Sequence, residues 1–317
     1  MTFWKNKKVL VTGASGFTGS HLCRKLVNSG AVVRAYVRRG GSKNRIKDIL
    51  TKVQIVEGDL IDITSLINAT KDIDYVFHTG AIVPVSEARM VPYSSVQVNA
   101  VGVFNTVWAA KENNVKKLLY TSTCHVYGNQ HMDKLPLKEN TQPNPIDIYS
   151  AAKFAGEIFL KPFTLEDSGT DFIITRAFNK FGPDQIGDWL IPRTIRQVLN
   201  KINPKVGNPD STRDYSYISD IVDGYMLALE YGKNGDLFNL GSGKETSVKE
   251  CVDKIIEFSG SKVIPVWDTG YRKNDVLRSV GDSSKAKKEL GWEPKVSFDD
   301  GMKLTLDWWK THPELLS

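Results

Sequence analysis

The segment Lys8–Gly19 reads KVLVTGASGFTG and decides the fold of this chain. Its first five residues form a short apolar run typical of a strand, and Phe17–Asn28 has helical spacing. Between them, Gly13 permits a tight turn, Gly16 lets the backbone approach a ligand phosphate at the positive helix end, and Gly19 permits close helix–strand packing. The segment therefore predicts a dinucleotide-binding turn. Its GxxGxxG spacing departs from the standard GxGxxG, so an ordinary glycine turn stays open as the alternative.

Strand-like and helix-like segments continue to alternate through the first half of the chain. The further strand-like segments are Ala31–Val37, Val53–Val56, Tyr75–His78, Lys117–Thr121 and Asp171–Thr175, and the further helical ones are Val96–Lys111 and Tyr149–Leu160. This alternation is typical of βαβ units around a parallel sheet covered on both faces. We therefore predict an α/β fold with a doubly wound parallel sheet of the Rossmann type.

The pattern changes after about residue 180. Four prolines (Pro183, Pro192, Pro204 and Pro209) punctuate shorter segments, with helical stretches near 188–200, 220–231 and 248–258. We predict a dinucleotide-binding domain over residues 1–178 and a smaller, mixed α/β substrate lobe over 179–317. Segments near 215–245 are expected to return to the first domain, with Phe238–Leu240 as a further strand of its sheet.

Composition narrows the class of protein. The chain has 317 residues, 41% of them hydrophobic and 25% charged, which excludes disordered, collagen-like and coiled-coil proteins. No apolar stretch approaches the roughly 18 residues of a membrane span. The net charge of +6 suits an anionic small substrate, and no basic block with interleaved aromatics indicates nucleic-acid binding. Cys23, Cys124 and Cys251 form no disulfide or metal pattern, so we expect no metal and a reducing, cytoplasmic compartment.

The ends of the second and third strands bear on the cofactor. The second strand ends in Arg38-Arg39, with no acidic residue to bind the ribose 2′-hydroxyl of NAD. Two guanidinium groups can bind the 2′-phosphate of NADP, although solvated arginines are the alternative. Asp59 follows the third strand, where its carboxylate can accept from an adenine amino group or simply form a turn.

Three side chains with hydroxyl or amine groups suggest redox chemistry on an alcohol. Tyr149 and Lys153, in YSAAK, lie four residues apart on one helical face. An ammonium beside a phenol favours the phenolate, which could take the proton of an alcohol. Thr123, in TST at 121–123, follows a strand whose carboxyl end would face the ligand. A surface tyrosine–lysine pair is the alternative.

Together these motifs resemble the extended short-chain dehydrogenases/reductases of the sugar-nucleotide epimerase/dehydratase family. The resemblance runs from about Lys8 to Trp309, and the nearest members are UDP- and GDP-sugar epimerases, GDP-mannose dehydratase and GDP-4-keto-6-deoxymannose reductase. Its marks are TGASGFTG (12–19), GDL (58–60), VFHTGA (76–81), VNAVGVFN (98–105), YTSTCHVYG (120–128), YSAAK (149–153), RAFNKFGP (176–183), TRDYSYISD (212–220) and FNLGSG (238–243).

The resemblance implies a role for each matching residue. Thr123, Tyr149 and Lys153 would be catalytic. The cofactor-binding residues would be Gly13, Ser15, Gly16, Phe17, Thr18, Gly19, Arg38, Arg39, Asp59, Leu60, Gly80, Ala81, Asn99, Thr121, Tyr149 and Lys153. The substrate-binding residues would be Val83, Asn179, Leu190, Val206, Arg213 and Arg272.

Cys124 and His125 depart from one branch of the family. Its 4,6-dehydratases carry acidic side chains in this region, whereas GDP-fucose synthase has a cysteine after the bridging hydroxyl. In this chain Trp189 replaces the histidine that accompanies the cysteine in that enzyme. The two residues are therefore possible acid/base groups, with a small buried thiol and a pocket wall as the alternative.

We therefore predict an NAD(P)-dependent enzyme that transfers hydride at C4 of a nucleoside-diphosphate sugar, as a 4-epimerase or a 4-keto reductase/dehydrogenase. The comparison favours a GDP-sugar and NADP. The alternatives are a 4,6-dehydratase that uses Cys124 and His125, and a non-catalytic binder. The apolar stretches Val98–Trp108 and Phe154–Phe163 predict a homodimer, because in the family these helices pair across a two-fold axis.

Overall fold

A seven-stranded parallel sheet forms the centre of the molecule. The computed structural model describes residues 3–83, 85–166, 169–268 and 276–316. Its strands are β1 Lys8–Thr12, β2 Val32–Arg38, β3 Val53–Gly58, β4 Tyr75–His78, β5 Lys117–Thr123, β6 Asp171–Ala177, β7 Asn179–Phe181, β8 Lys205–Val206, β9 Thr212–Tyr217, β10 Leu237–Leu240, β11 Glu245–Ser247 and β12 Val266–Trp267. The large sheet has the order β3-β2-β1-β4-β5-β6-β10, with every neighbouring pair parallel. The predicted doubly wound α/β fold is confirmed.

Helices cover both faces of this sheet. They are α1 Phe17–Asn28, α2 Ile63–Thr70, α3 Val85–Met90, α4 Pro92–Val96, α5 Gly102–Glu112, α6 Ile148–Leu165, α7 Leu190–Leu199, α8 Ile218–Tyr231, α9 Val248–Ser259, α10 Ser284–Leu290 and α11 Phe298–Lys310. Apolar residues of α1, α8 and α10 pack on one face, and those of α2, α5 and α6 pack on the other. Within the described ranges, no helix is both long and apolar enough to cross a membrane.

The helix expected over Val96–Lys111 is interrupted. A π-helical turn, Gln97–Val101, separates α4 from α5. The buried side chain of Asn99 lies in this turn, and its amide bonds to both the N–H and the carbonyl of Ile82 at 2.8 and 3.0 Å. Single π-turns often occur at functional sites. Here the turn lets one side chain fix the loop that follows β4.

A second apolar core lies among the C-terminal elements. The three-stranded sheet β7-β9-β11 packs with α7, α9 and α11 around Phe181, Tyr217 and Trp309. The segments from 218 to 240 behave differently, because α8 packs into the core of the large sheet and β10 pairs with β6 at its edge. The chain thus crosses between the two cores more than once, and both contribute to the region beyond the carboxyl ends of the parallel strands.

Substitution of Gly19 tests how closely α1 packs against the glycine turn that precedes it. A Cβ at this position would lie 2.2 Å from the carbonyl oxygen of Gly13, and backbone cannot move aside cheaply. We expect Gly19→Ala to lower the free energy of unfolding by about 1–3 kcal/mol. The matched control is Gly207→Ala, where an added Cβ meets no described atom within 4 Å. Equal denaturant midpoints for the two variants would contradict this account.

Candidate active site

The glycine turn between β1 and α1 is closely packed. Gly13 has a φ of +65°, and a Cβ there would lie 2.6 Å from the Cα of Gly80. The N–H of Gly16 donates to the carbonyl of Gly13 at 2.9 Å. In the described chain, Gly16 caps α1 without any side-chain bond to the first turn, so the N–H groups of that turn could bind an anion. Ser15, Phe17 and Thr18 line the same turn, each partly exposed.

The loop after β4 forms the wall opposite this turn. Thr12 Oγ1 bonds to His78 Nδ1 at 3.2 Å and accepts from the N–H of Gly80 at 3.3 Å. Ala81 and Val83 follow in the same loop, which Asn99 fixes through Ile82. The amide of Asn99 is therefore used within the protein, and any effect on a cofactor would pass through this loop.

The predicted ribose and adenine region lies at the ends of β2 and β3. Arg38 and Arg39 are both exposed, and Arg39 forms an ion pair with Asp62 at 3.2 Å. The carboxylate of Asp59 accepts from the N–H of Ile61 at 3.2 Å, so it forms a turn here. Leu60 is buried behind it.

A nicotinamide dinucleotide fits this cradle. Glycines stand where a Cβ would collide with backbone, and the α1 N-terminus faces the space where a pyrophosphate would bind. Residues of the glycine turn would hold the pyrophosphate, and those at the ends of β2 and β3 would hold the adenosine. Thr121, buried at the end of β5, already donates to the carbonyl of His78 at 3.0 Å.

Thr123 and Tyr149 meet beyond the end of β5. Strand β5 runs two residues further than expected, to Thr123, and α6 begins with a capping box in which Asp147 accepts from the N–H of Ser150 at 2.8 Å. This start places Tyr149 on the first turn of α6, beside Thr123, whose side chain acts to lower the pKa of the phenol. Burial raises the pKa of Tyr149 above its usual value, so the phenol is protonated at neutral pH.

Lys153 lies one turn further along α6. Its side chain is buried, and Nζ lies 4.4 Å from the centre of the Tyr120 ring, a cation–π contact. Burial, reinforced by the charge of Lys180, lowers the pKa of Lys153 to about 7. The expectation that this ammonium would lower the pKa of Tyr149 is not met here, because burial dominates the shift of the phenol.

Cys124 and His125 adjoin this pair. The Cys124 thiol is buried, and burial raises its pKa to about 11, although the side chain of Ser279 acts to lower it. The ring of His125 lies edge-on to Tyr149 with 6.0 Å between ring centres. Cys124 is thus a neutral thiol at neutral pH, whereas His125 is partly exposed beside the phenol.

The predicted substrate residues come from the C-terminal elements. Asn179 opens β7, and within the described residues its buried Oδ1 has no hydrogen-bond partner. Arg213 lies on β9, where its charge acts on Cys124 and Nη1 donates to the carbonyl of Thr212 at 2.8 Å. Leu190 begins α7 and Val206 is buried on β8. Arg272 lies outside the described residues.

A buried ion pair behind the site was not anticipated. Glu157 pairs with Arg176, with Oε2 and Nη2 2.6 Å apart, and also accepts from Ser122 Oγ at 2.5 Å. Arg176 also stacks over the ring of Tyr127. Two signals were available in the sequence: Glu157 stands four residues after Lys153, and Arg176 opens the RAFNKFGP motif.

Comparisons with a family model, with curated proteins and with solved structures all find sugar-nucleotide dehydratases or epimerases. The family model described as GDP-mannose 4,6 dehydratase matches residues 10–305. The human dTDP-D-glucose 4,6-dehydratase is 30% identical, over 96% of this chain and 90% of its own length. The UDP-glucose 4-epimerase of Thermotoga maritima, solved with UDP-glucose, superposes with a TM-score of 0.90 at 30% identity and covers 96% of this chain and 99% of its own. MoeE5, solved with UDP-glucuronic acid and NAD, gives a TM-score of 0.86 at 27% identity over 96% and 99% of the two chains.

The lowered pKa of Lys153 has a consequence for stability. In the folded protein Lys153 releases its proton near pH 7, and in the unfolded chain near 10.5, so the unfolded chain binds more protons between these values. The stability of the wild type relative to Lys153→Met should therefore rise from pH 7 to pH 10, by at most about 1.4 kcal/mol per pH unit. Urea titrations of both proteins measure this difference. A difference that stays flat or falls with pH would contradict burial of the neutral amine.

Proposed function

The chain belongs to the sugar-nucleotide epimerase/dehydratase family of extended short-chain dehydrogenases/reductases, and from this premise we propose that it transfers a hydride at C4 of a nucleoside-diphosphate sugar. The net reaction is 4-epimerisation, or reduction and oxidation at C4. One observation carries the proposal: Tyr149 lies beside Thr123 at the carboxyl end of β5, with the buried Lys153 amine one helical turn away.

Thr123, Tyr149 and Lys153 have separate roles in the proposed reaction at C4. Thr123 orients that oxygen, and Tyr149 exchanges a proton with it. The raised pKa of Tyr149 suits donation to a C4 carbonyl; the reverse step needs the bound complex to lower this pKa. A bound nicotinamide would accept a hydride from C4 and return it. Lys153, with a pKa near 7, would bind the nicotinamide ribose.

A 4,6-dehydratase is the second candidate, favoured by the family model and by the human relative. Elimination of water also needs a base beside the ketone and an acid for the leaving hydroxyl. Burial raises the pKa of Cys124 to about 11, which makes its thiol a weak base at neutral pH. His125 is the stronger candidate for this role. We favour chemistry confined to C4 because the Cys124 thiol is protonated and no acidic side chain follows Thr123 at positions 124 and 125.

The experiment is a panel of UDP-, GDP- and dTDP-sugars in heavy water, run with NAD and with NADP and followed by NMR. We expect a product altered only at C4, without deuterium at C3, C5 or C6. Tyr149→Phe should lose about 10²–10⁴ in rate while still binding cofactor, because the proton-transfer group is gone and the ring remains. Label at C5 or C6 that vanishes in Cys124→Ala or His125→Ala would establish the dehydratase instead.

The same panel also shows whether the enzyme uses NAD or NADP and which nucleotide base its sugar substrate carries. We propose NAD as the cofactor, since structural neighbours were solved with NAD and Arg39 is already paired with Asp62. The NADP preference expected from Arg38 and Arg39 has no support in these comparisons. The preference for a GDP-sugar rests on the motif resemblance alone, and similar proteins act on UDP- and dTDP-sugars.

A reducing, cytoplasmic setting remains our proposal. The three cysteines Cys23, Cys124 and Cys251 are all free and buried. Burial raises the pKa of each thiol, which suits packing rather than redox exchange.

A homodimer is the expected assembly. Phe104, Trp108, Ile158 and Phe159 on α5 and α6 are 37–50% exposed, and the Phe104 ring packs on those of Trp108 and Phe159. A second copy would cover this apolar surface through a four-helix bundle. We expect sedimentation equilibrium to give twice the chain mass at micromolar concentration. Ile158→Glu should give a monomer, and a wild-type monomer would contradict the proposal.

A further inference from the structure

Lys180 is a charged side chain at the site that the mechanism above does not use. It is the middle residue of β7, directly after Asn179. Phe181 points into the C-terminal core, whereas Phe178 packs in the small cluster that contains Cys124. Side chains alternate along an extended chain, so Lys180 leans to the same side as Phe178, toward Cys124. The charge of Lys180 acts on both Cys124 and Lys153, which places its amine at the reacting end of the site.

The two carboxylates whose charges act on Cys124 and Lys153, those of Asp214 and Glu157, are already satisfied. Asp214 accepts from the N–H and hydroxyl of Ser242 and from the N–H groups of Gly243 and Gly281, at 2.6–3.1 Å. Glu157 is paired with Arg176. Among the described residues, no carboxylate forms an ion pair with Lys180. A cation so placed is unfavourable unless an anion joins it or it loses its proton.

The neighbouring strand, β9, adds a polar group whose hydrogen-bonding capacity is not used. Ser216 on β9 is in register with Lys180, and side chains in register on paired strands lie on the same face. The hydroxyl of Ser216 is buried without a hydrogen-bond partner in the described part of the chain. Unsatisfied buried polar groups are rare in proteins and call for a ligand or water.

We infer that Lys180 binds a carboxylate on the sugar ring next to C4, so that the substrate is a nucleotide uronic acid rather than a neutral hexose. Thr123 and Tyr149 hold the C4 oxygen in the proposed function, on which this inference rests. Lys180 acts from the side of Cys124, the residue after Thr123, and so faces a substituent of a ring carbon beside C4. In a uronic acid the carboxylate is carried on C5. An ammonium–carboxylate bond offsets the cost of a cation that is partly removed from water, as Lys180 is.

The test compares sugars that differ only in this group. Isothermal titration calorimetry with saturating NAD gives Kd for UDP-glucose and UDP-glucuronic acid, and for GDP-mannose and GDP-mannuronic acid. All proteins carry Tyr149→Phe, which blocks turnover. We expect the uronic acid to bind at least 10-fold more tightly than its hexose. Lys180→Met should reduce this ratio by about 10- to 100-fold, the range for a hydrogen bond to a charged group.

Two further variants keep the outcome interpretable. Lys180→Arg retains a cation and should retain much of the preference. Lys288→Met removes the same charge from the exposed face of α10 and should leave the ratio unchanged. A preference for the neutral hexose, or equal weakening of both sugars in Lys180→Met, would overturn the inference and assign Lys180 to the diphosphate or to packing. If none of the four sugars binds, the proposed function fails instead.

Discussion

The buried ion pair between Glu157 and Arg176 is the interaction on which the site depends. It joins α6, which carries Tyr149 and Lys153, to β6, and through Ser122 to the strand that ends at Thr123. Loss of either partner would leave an unpaired charge in the interior, a cost of about 3–5 kcal/mol. The ends of α6 and β5 can therefore hold the Tyr149 phenol beside the Thr123 hydroxyl.

That ion pair also shapes the charge of the pocket. Because Glu157 forms an ion pair with Arg176, little negative charge remains to stabilise the ammonium groups of Lys153 and Lys180. Desolvation lowers the pKa of Lys153, which is buried, and that of Lys180, which is only partly exposed. An apo site of this kind stores unfavourable electrostatic energy that an anionic substrate relieves on binding.

Much of the fold could be predicted from the sequence, and less of the site. Local patterns determine strands, so β1 and β4 begin and end where the apolar runs do, and the glycine turn was identified from its spacing. The π-turn at Asn99 could not be foreseen, because it depends on a bond to a loop distant in sequence. The prediction that the pKa of Tyr149 is lowered was wrong for the same reason. Spacing on a helix shows which residues share a face, but burial by other elements sets the dominant shift.

Cys124 illustrates how tertiary structure decides between two chemistries that a motif leaves open. Its position after Thr123 fits an acid/base group as well as a small packing residue. The thiol is buried in a cluster with Val126, Tyr127 and Phe178, and burial outweighs the nearby cations of Lys180 and Arg213. A thiolate nucleophile or base needs exposure and net positive surroundings. Here the positive groups are present and exposure is not, so we propose that the cations serve the substrate rather than the thiol.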